Sequence, residues 1–341
     1  LDDFAPYIFR TDDYGSSWAL ATDGIPGDFP VRTVREDAEQ EGLLFAGTEY
    51  GLFVSFNGGR AWQSFQQNLP ITPVSGMRVA HNDLIISTQG RSFWILDDIS
   101  PLRELTAAVG AGAHLFKPRD EYRLTNVGPT FLAELAPEPR PAGAQLHYWL
   151  GEEHEGDVRI DVVDARGEIA HTFATDSTTL EETEGQEISA ESGLHRVAWS
   201  IFYPPPHLPE GAVIWGYSGG VVAPPGDYTV RMTTAAGVQE QTLRLLPDPR
   251  IPEVTTASYA EQFQAAMVVR DSISSIARAI DDLAAIRDQV GGVMDRAESA
   301  GQGDALRALA DTLDEKTTGV TEDLMQTKNR SGQDPIRFPP R

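Results

Sequence analysis

The chain has 341 residues, with 27 lysines and arginines against 51 acidic residues and a formal charge of −24, a length that predicts about two or three domains. Such a field repels phosphate backbones and anionic membrane surfaces, and no apolar run approaches the roughly 20 residues that cross a bilayer. The absence of cysteine excludes disulfides, thiolate zinc sites and cysteine nucleophiles, and no basic, apolar leader is visible, so a targeting segment is expected to lie outside this sequence.

Tyr7 to Thr11 is expected to form a short strand, Thr11 to Trp18 a tight corner, and Trp18 to Thr22 the returning strand. In TDDYGSSW the Asp13 carboxylate is suited to accept backbone N–H groups, Gly15 supplies a positive φ, and Trp18 packs back over the turn. A second version, SFNGGRAW at Ser55 to Trp62, follows about 44 residues later. Strands are expected at Val31 to Glu36, Leu43 to Thr48, Gly51 to Phe56 and, after the corner, Trp62 to Phe65. Four strands at that period are the unit of a β-propeller blade. Gly76 to Ala80, Leu84 to Thr88 and Phe93 to Leu96 read as a third, partial unit without a corner, which the chain leaves at Asp97-Asp98.

The Thr11 to Trp18 corner resembles the Asp-box, or BNR repeat, of sialidases, xyloglucan hydrolases and the sortilin ectodomain. Ser55 to Trp62 departs from it, with Asn57 for the aspartate and Ala61 for the usual hydroxyl residue. GTEYGLFVS (Gly47 to Ser55) and TQGRSFWILDD (Thr88 to Asp98) are similar to the last blades of large bacterial BNR-repeat, sortilin-like proteins often labelled glycosyl hydrolases. The resemblance implies a secreted or periplasmic bacterial protein in which Asp13, Gly15, Trp18, Asn57, Gly59 and Trp62 are structural. A propeller needs about four to eight blades and this sequence supplies about two and a half. The expectation is therefore a C-terminal piece of a longer protein, or a processed chain whose propeller is completed by a companion.

Asp-box corners join the third and fourth strands of a blade, and the turns joining the second and third strands emerge on the opposite face. Glu49 and Tyr50 occupy such a turn, and Gln89, Gly90 and Arg91 the next one. Polar and aromatic groups side by side at a propeller mouth suit ligand binding, which makes Glu49, Tyr50, Gln89 and Arg91 the binding candidates. The structural alternative is that Arg91 and Glu49 pair between blades. A glycosidase needs two facing carboxylates, whereas Asp97 and Asp98, adjacent on a strand, would point to opposite faces. No Arg-Ile-Pro signature of sialidases is present.

Residues 1–103 are thus expected to be blades and 104–141 a connector, with a flexible Ala107 to Ala113 stretch and Pro129, Pro137, Pro139 and Pro141. Within it HLFKPRDEYR (His114 to Arg123) alternates enough to add a strand to the next domain. Lys117, Arg119 and Arg123 suggest salt bridges at a domain junction, or an anion site. Residues 142–247 read as a β-sandwich, with strands at Gln145 to Leu150, Asp157 to Val163, Ile169 to Thr172, Gly193 to Ile201, Gly226 to Met232 and Gln239 to Leu246. Here GLHRVAWSI (Gly193 to Ile201) and PPGDYTVRM (Pro224 to Met232) resemble the immunoglobulin-like domain of flagellar hook-capping proteins, and Trp199 and Tyr228 are expected in its core. The acidic loop Glu152 to Asp157, with His154, offers hard oxygens for calcium or else is a solvated hairpin tip. The long Pro204 to Gly220 loop carries Trp215 and Tyr217, suited to packing or to a sugar or partner surface.

Residues 248–330 switch to a helical period. Ser258 and Glu261 suggest a capping box, and Val269, Ile273, Ile276, Ile280, Leu283 and Val290, with Ile286 off register, predict one buried seam. Gly291-Gly292 is expected to end or break this helix. A second, from Asp304, carries Leu306, Leu309, Leu313, Val320 and Leu324 and should pair antiparallel with the first. Residues 331–341, with Pro335, Pro339 and Pro340, read as a severed connector. The sum is a mainly β chain with a C-terminal α part, expected to act as a binding or assembly scaffold without catalysis and without a cofactor. Its partners would be the rest of the propeller and a protein, peptide or glycan ligand at the propeller mouth. The alternative is a glycoside hydrolase whose carboxylates lie in other blades.

Overall fold

The computed structural model describes residues 2–124, 140, 142–213, 219–331 and 334. It is mainly β, with several sheets followed by a C-terminal pair of helices. Pro129, Pro137, Pro139, Pro141, Trp215, Tyr217, Pro335, Pro339 and Pro340 lie outside the described residues.

The first region is built by repetition. Strands β1 (Phe9–Arg10) and β2 (Ala19–Leu20) form an antiparallel hairpin around the first corner. β3 (Val31–Glu36), β4 (Leu44–Thr48), β5 (Leu52–Ser55) and β6 (Gln63–Ser64) make a four-stranded antiparallel sheet in chain order. β7 (Val74–Ala80), β8 (Asp83–Thr88) and β9 (Phe93–Leu96) repeat that arrangement with three strands. Both sheets bulge at the same place. Val31 pairs with Thr48 and Thr33 with Gly47, leaving Arg32 as the extra residue; Val74 pairs with Thr88 and Gly76 with Ser87, leaving Ser75. The two sheets share one core, in which Phe45, Leu52 and Val54 meet Val74, Met77 and Leu84. Their approach requires Gly47, because a Cβ there would stand 2.5 Å from Cγ1 of Val74.

The described part of the expected connector, residues 104–124 and 140, contains regular elements. Helix α1 (Ser100–Ala108) runs across the 103/104 boundary, with Pro in its first turn where the missing N–H costs nothing. Its Leu102 joins the repeat core. Next, β10 (Ala113–Leu115) and β11 (Glu121–Tyr122), from the His114 to Arg123 stretch, are edge strands of two further sheets.

The second region comprises β12 (Ala144–Leu150), β13 (Arg159–Val163), β14 (Ile169–Ala174), helix α2 (Ser177–Thr183), β15 (Gln186–Glu187), β16 (Gly193–Trp199), β17 (Gly226–Thr234) and β18 (Gly237–Leu246). One sheet has the order β10-β12-β16 and the other β11-β18-β17-β13-β14-β15. Both bury alternate residues in one core that contains Leu146, Tyr148, Ile160, Phe173, Val230 and Leu243. Trp199 and Tyr228 sit in that core with ring centroids 5.1 Å apart, edge to face.

Helix α3 (Thr256–Ser299) starts one turn earlier than the Ser258/Glu261 pair suggests: Thr255 is its N-cap and accepts from Ser258 N. It also continues through Gly291 and Gly292; glycine costs about 1 kcal/mol in a helix, which a long flanked helix absorbs. Tyr259, Phe263, Ala277 and Ile280 form its buried side, and Phe263 reaches the two-sheet core. Helix α4 (Gly303–Leu324) runs back along it, with Arg307 bonded to Glu298 and Arg287 to Thr318. The expected seam is corrected here. Past its first turn the described side chains that α4 buries are Thr317 and Thr321, whose hydroxyls return to the carbonyls of Leu313 and Thr317, while Leu306, Leu309, Leu313, Val320 and Leu324 are exposed. On α3, Ile280 is buried but Val269, Ile276 and Ile286 are exposed.

Candidate functional site

The two corners are closed by the same hydrogen bonds. In the first, the Thr11 hydroxyl donates to Asp13 Oδ1 (2.8 Å) and accepts from Gly15 N (2.8 Å), and Ser17 N donates to Asp13 Oδ1 (2.8 Å). In the second, the Ser55 hydroxyl donates to Asn57 Oδ1 (3.0 Å) and accepts from Gly59 N (3.0 Å), and Ala61 N donates to Asn57 Oδ1 (2.9 Å). An amide oxygen replaces the carboxylate in these three bonds, because they need an acceptor and not a charge; the second corner lacks the bond from the Ser17 hydroxyl to Asp13 Oδ2. Gly15 (φ 89°) and Gly59 (φ 81°) adopt the left-handed conformation, each beneath its tryptophan ring. The Ser17 amide and hydroxyl, with the Thr11 hydroxyl, hold Asp13 down at about 2. These residues fold hairpins; their oxygens are already engaged.

At the other end of the strands, the two turns also share one main-chain design. Glu49 N donates to Pro30 O (3.0 Å), as Gln89 N does to Pro73 O (2.9 Å). The hydroxyl of Thr48 donates to Gly51 O (3.0 Å) and accepts from Tyr50 N (3.1 Å); that of Thr88 donates to Ser92 O (2.7 Å) and accepts from Arg91 N (3.1 Å). What the turns display differs. Glu49 is taken by Arg32, the bulge residue, whose Nε lies 2.6 Å from Glu49 Oε2. The expected alternative, a Glu49 to Arg91 pair between units, is therefore replaced by a pair within one unit. In the next unit the bulge residue is Ser75, which bonds Ser87. Arg91 is exposed, and its guanidinium has no hydrogen-bond or carboxylate partner among the described residues. Tyr50 is half exposed and rests on Phe29, ring centroids 4.8 Å apart. Gln89 is exposed, with its own carbonyl accepting from the Thr72 hydroxyl.

Asp97 and Asp98 do not make a catalytic pair. Asp98 is buried with φ 59°, and its Oδ1 accepts from Ser100 N and the Ser100 hydroxyl (2.6 Å), closing the turn into α1. Its Oδ2 has no hydrogen-bond partner and lies 3.9 Å from Nδ1 of buried His147 on β12. Burial pushes His147 down to about 4, and burial together with the Asp83 charge raises Asp97. Arg119 bridges to Asp83 across the same junction (2.8 Å). Sequence reading misses this cluster; the one signal is a histidine in the largely apolar AQLHYWL strand.

The basic trio separates. Lys117 is exposed, Arg119 pairs as above, and Arg123 is buried beneath α3, donating to Ala223 O and Gln262 and lying 4.7 Å over the Tyr259 ring. In the Glu152 to Asp157 loop, Asp157 accepts from Thr175, and among the described residues no three His, Asp or Glu side chains come close enough to share a metal ion. The long loop is tied to α3 through His207, whose N donates to Ser274 Oγ and whose Nε2 lies 2.6 Å from Asp281. An apolar cavity of about 350 Å³ lies beside it, lined by Arg123, Val221, Val222, Phe263, Val269 and Ile273.

No family model matches this chain, and no curated protein does. Among solved structures, the extracellular domain of a protein described as a one-component system from B. thetaiotaomicron aligns at 11% identity and a TM-score of 0.22, over 71% of this chain and 28% of that one. The extracellular domain of one described as a hybrid two-component system from the same organism aligns at 9% identity and 0.20, over 70% and 28%. This chain therefore spans well under a third of either. At those scores neither likeness transfers fold or function. Among the described residues no helix is long and apolar enough to cross a membrane.

Proposed function

We propose that the chain is a non-catalytic binding and assembly scaffold of a secreted or periplasmic protein. In this reading the repeated sheets are successive β-propeller units, the two-sheet core is an immunoglobulin-type sandwich, and a protein, peptide or glycan ligand lies along the edge made by the Glu49-Tyr50 and Gln89-Arg91 turns. One observation carries it. Two turns anchored alike, by an N–H to a proline carbonyl and by a threonine hydroxyl that closes the loop, though the second is one residue longer, hold different exposed side chains, a constant support with a variable display. Arg91 supplies an uncompensated cation for an anionic group, Tyr50 on Phe29 supplies an apolar face for a ring, and Gln89 supplies a neutral hydrogen-bonding edge. Glu49, neutralised by Arg32, orders its turn.

The test is a screen of glycan and peptide arrays with the full chain, repeated with Tyr50→Ala and Arg91→Ala together. The reading expects a restricted set of acidic binders that the double variant loses while its thermal unfolding is unchanged. Binders retained in full by the double variant, or an absence of selective binders on either array, would overturn it.

A further inference from the structure

The β1-β2 hairpin is the β5-β6 hairpin over again, in the same register. Phe9 pairs with Leu20 and Arg10 with Ala19, as Phe53 pairs with Ser64 and Val54 with Gln63. The corners between them carry the same bonds. Their surroundings are opposite. Phe53 is 6% and Trp62 5% exposed, whereas Phe9 is 55% and Trp18 61% exposed.

Two things cover the second hairpin. Strand β4 pairs along the free edge of β5, setting Ala46 opposite Phe53 and Phe45 opposite Val54. The segment after β2 then lies over the tryptophan: the indole N–H of Trp62 donates to Ala21 O (2.9 Å), Trp62 N donates to Asp23 O (2.8 Å), and Ile25 packs with Ala46, Phe53 and Trp62. Gly24 permits this contact, since a Cβ there would lie 2.0 Å from Trp62 O. Among the described residues β1 pairs only with β2, and the indole N–H of Trp18 has no partner. Tyr14 and Leu20 add to the exposed apolar surface of the hairpin, a surface too apolar to be an ordinary solvent face.

We propose that the free edge of β1 and the face of Trp18 receive an antiparallel β-strand and a capping segment from one further repeat unit of the β3 to β6 kind. The occupant's chemistry is read from the covered copy. Its strand carries a small residue opposite Phe9, as β4 sets Ala46 opposite Phe53, and its cap presents a main-chain carbonyl to the Trp18 indole N–H. A second copy of this chain has no such strand to give, because β4 is paired on both edges. The occupancy of this edge is independent of any ligand at the turns.

The test extends the chain itself: a copy of residues 19–51 replaces residues 1–7, directly ahead of Ile8, in the full remaining sequence. Emission and acrylamide quenching of Trp18 are isolated by difference from Trp18→Phe. The expected result is a blue shift and a quenching constant that falls to the level of Trp62. An extended chain that folds by circular dichroism yet leaves Trp18 as accessible as before overturns the proposal. A second measurement adds millimolar synthetic peptide with the sequence of Glu41 to Gly51 to the unextended chain and follows hydrogen exchange at Phe9, whose N–H faces the free edge while its neighbours Ile8 and Arg10 face β2. Slowed exchange, absent with a scrambled peptide, supports the proposal even if the extended chain does not fold. No slowing alongside an extension that does not bury Trp18 sinks it. Concentration-dependent burial of Trp18 in the unextended chain alone would assign the surface to a second copy instead.

Discussion

The two corner hairpins share three hydrogen bonds, a left-handed glycine and a tryptophan, and differ most in what lies over them. The difference separates two levels of structure. Eight residues suffice to close the corner, because every bond in it is local, but nothing in those eight residues decides whether the tryptophan is core or surface. That decision belongs to β4 and to the Ala21 to Ile25 segment, which serve one copy and not the other.

Substitution breaks the comparison most sharply at the tryptophans. Trp62→Ala is expected to cost about 4 kcal/mol, as for other buried large-to-small changes, while Trp18→Ala costs less than about 1 kcal/mol; urea unfolding of both variants measures the gap. Equal losses would mean that Trp18 is covered after all.

The junction provides the next contrast, because its buried polar groups respond to pH where the apolar repeat core does not. Burial holds His147 neutral in the folded chain, whereas unfolded histidine takes up a proton below about 6.5. A depressed folded value makes this stability complete above the unfolded value and lost as pH falls toward about 4. Stability should drop on the order of 2 kcal/mol across that window, and His147→Gln should flatten the drop in a series of denaturant titrations.

A smaller effect is expected inside the corner. Asn57→Ala removes the acceptor for Ser55 and Ala61 and should cost about 1 kcal/mol, with faster amide exchange confined to Gly59 and Ala61. The smallest is at the display edge, where Arg91→Ala should change stability by less than about 0.5 kcal/mol in the same titrations.

Features made by neighbours in sequence are legible without the structure. The corners, the Val31 to Glu36 and Phe93 to Leu96 strands, and the helix pair all follow from local hydrogen bonds or short-period patterning. Other features are set at a distance or by alternatives of equal local merit. SPLRELTAA carries a proline near its start and alanines near its end and reads as linker, yet Leu102 has a core to enter and the segment becomes α1. The leucines of α4 give a regular stripe, but the helix buries Thr317 and Thr321 beside it, since hydroxyls bonded to their own helix carbonyls can be buried without loss. The partner of Glu49 is hidden by a bulge: pairing Val31 with Thr48 and Thr33 with Gly47 turns Arg32 toward the acid, a register no residue pattern announces. His147 meets Asp98 across a junction whose prolines and small residues have the pattern of a connector.

The cap over Trp62 has one more consequence. Because the residues leaving the first hairpin close the corner of the second, that corner is finished by the unit before it, and the contact has a direction. Nearest-neighbour coupling of this kind makes a repeat protein fray from one end, like a row of tiles in which each overlaps the next. A protease cut between Leu20 and Gly24 would therefore do more than trim a hairpin. It would lift the Ala21 and Asp23 carbonyls from Trp62, turn a core residue into a surface one, and move the exposed aromatic end one tile along the chain.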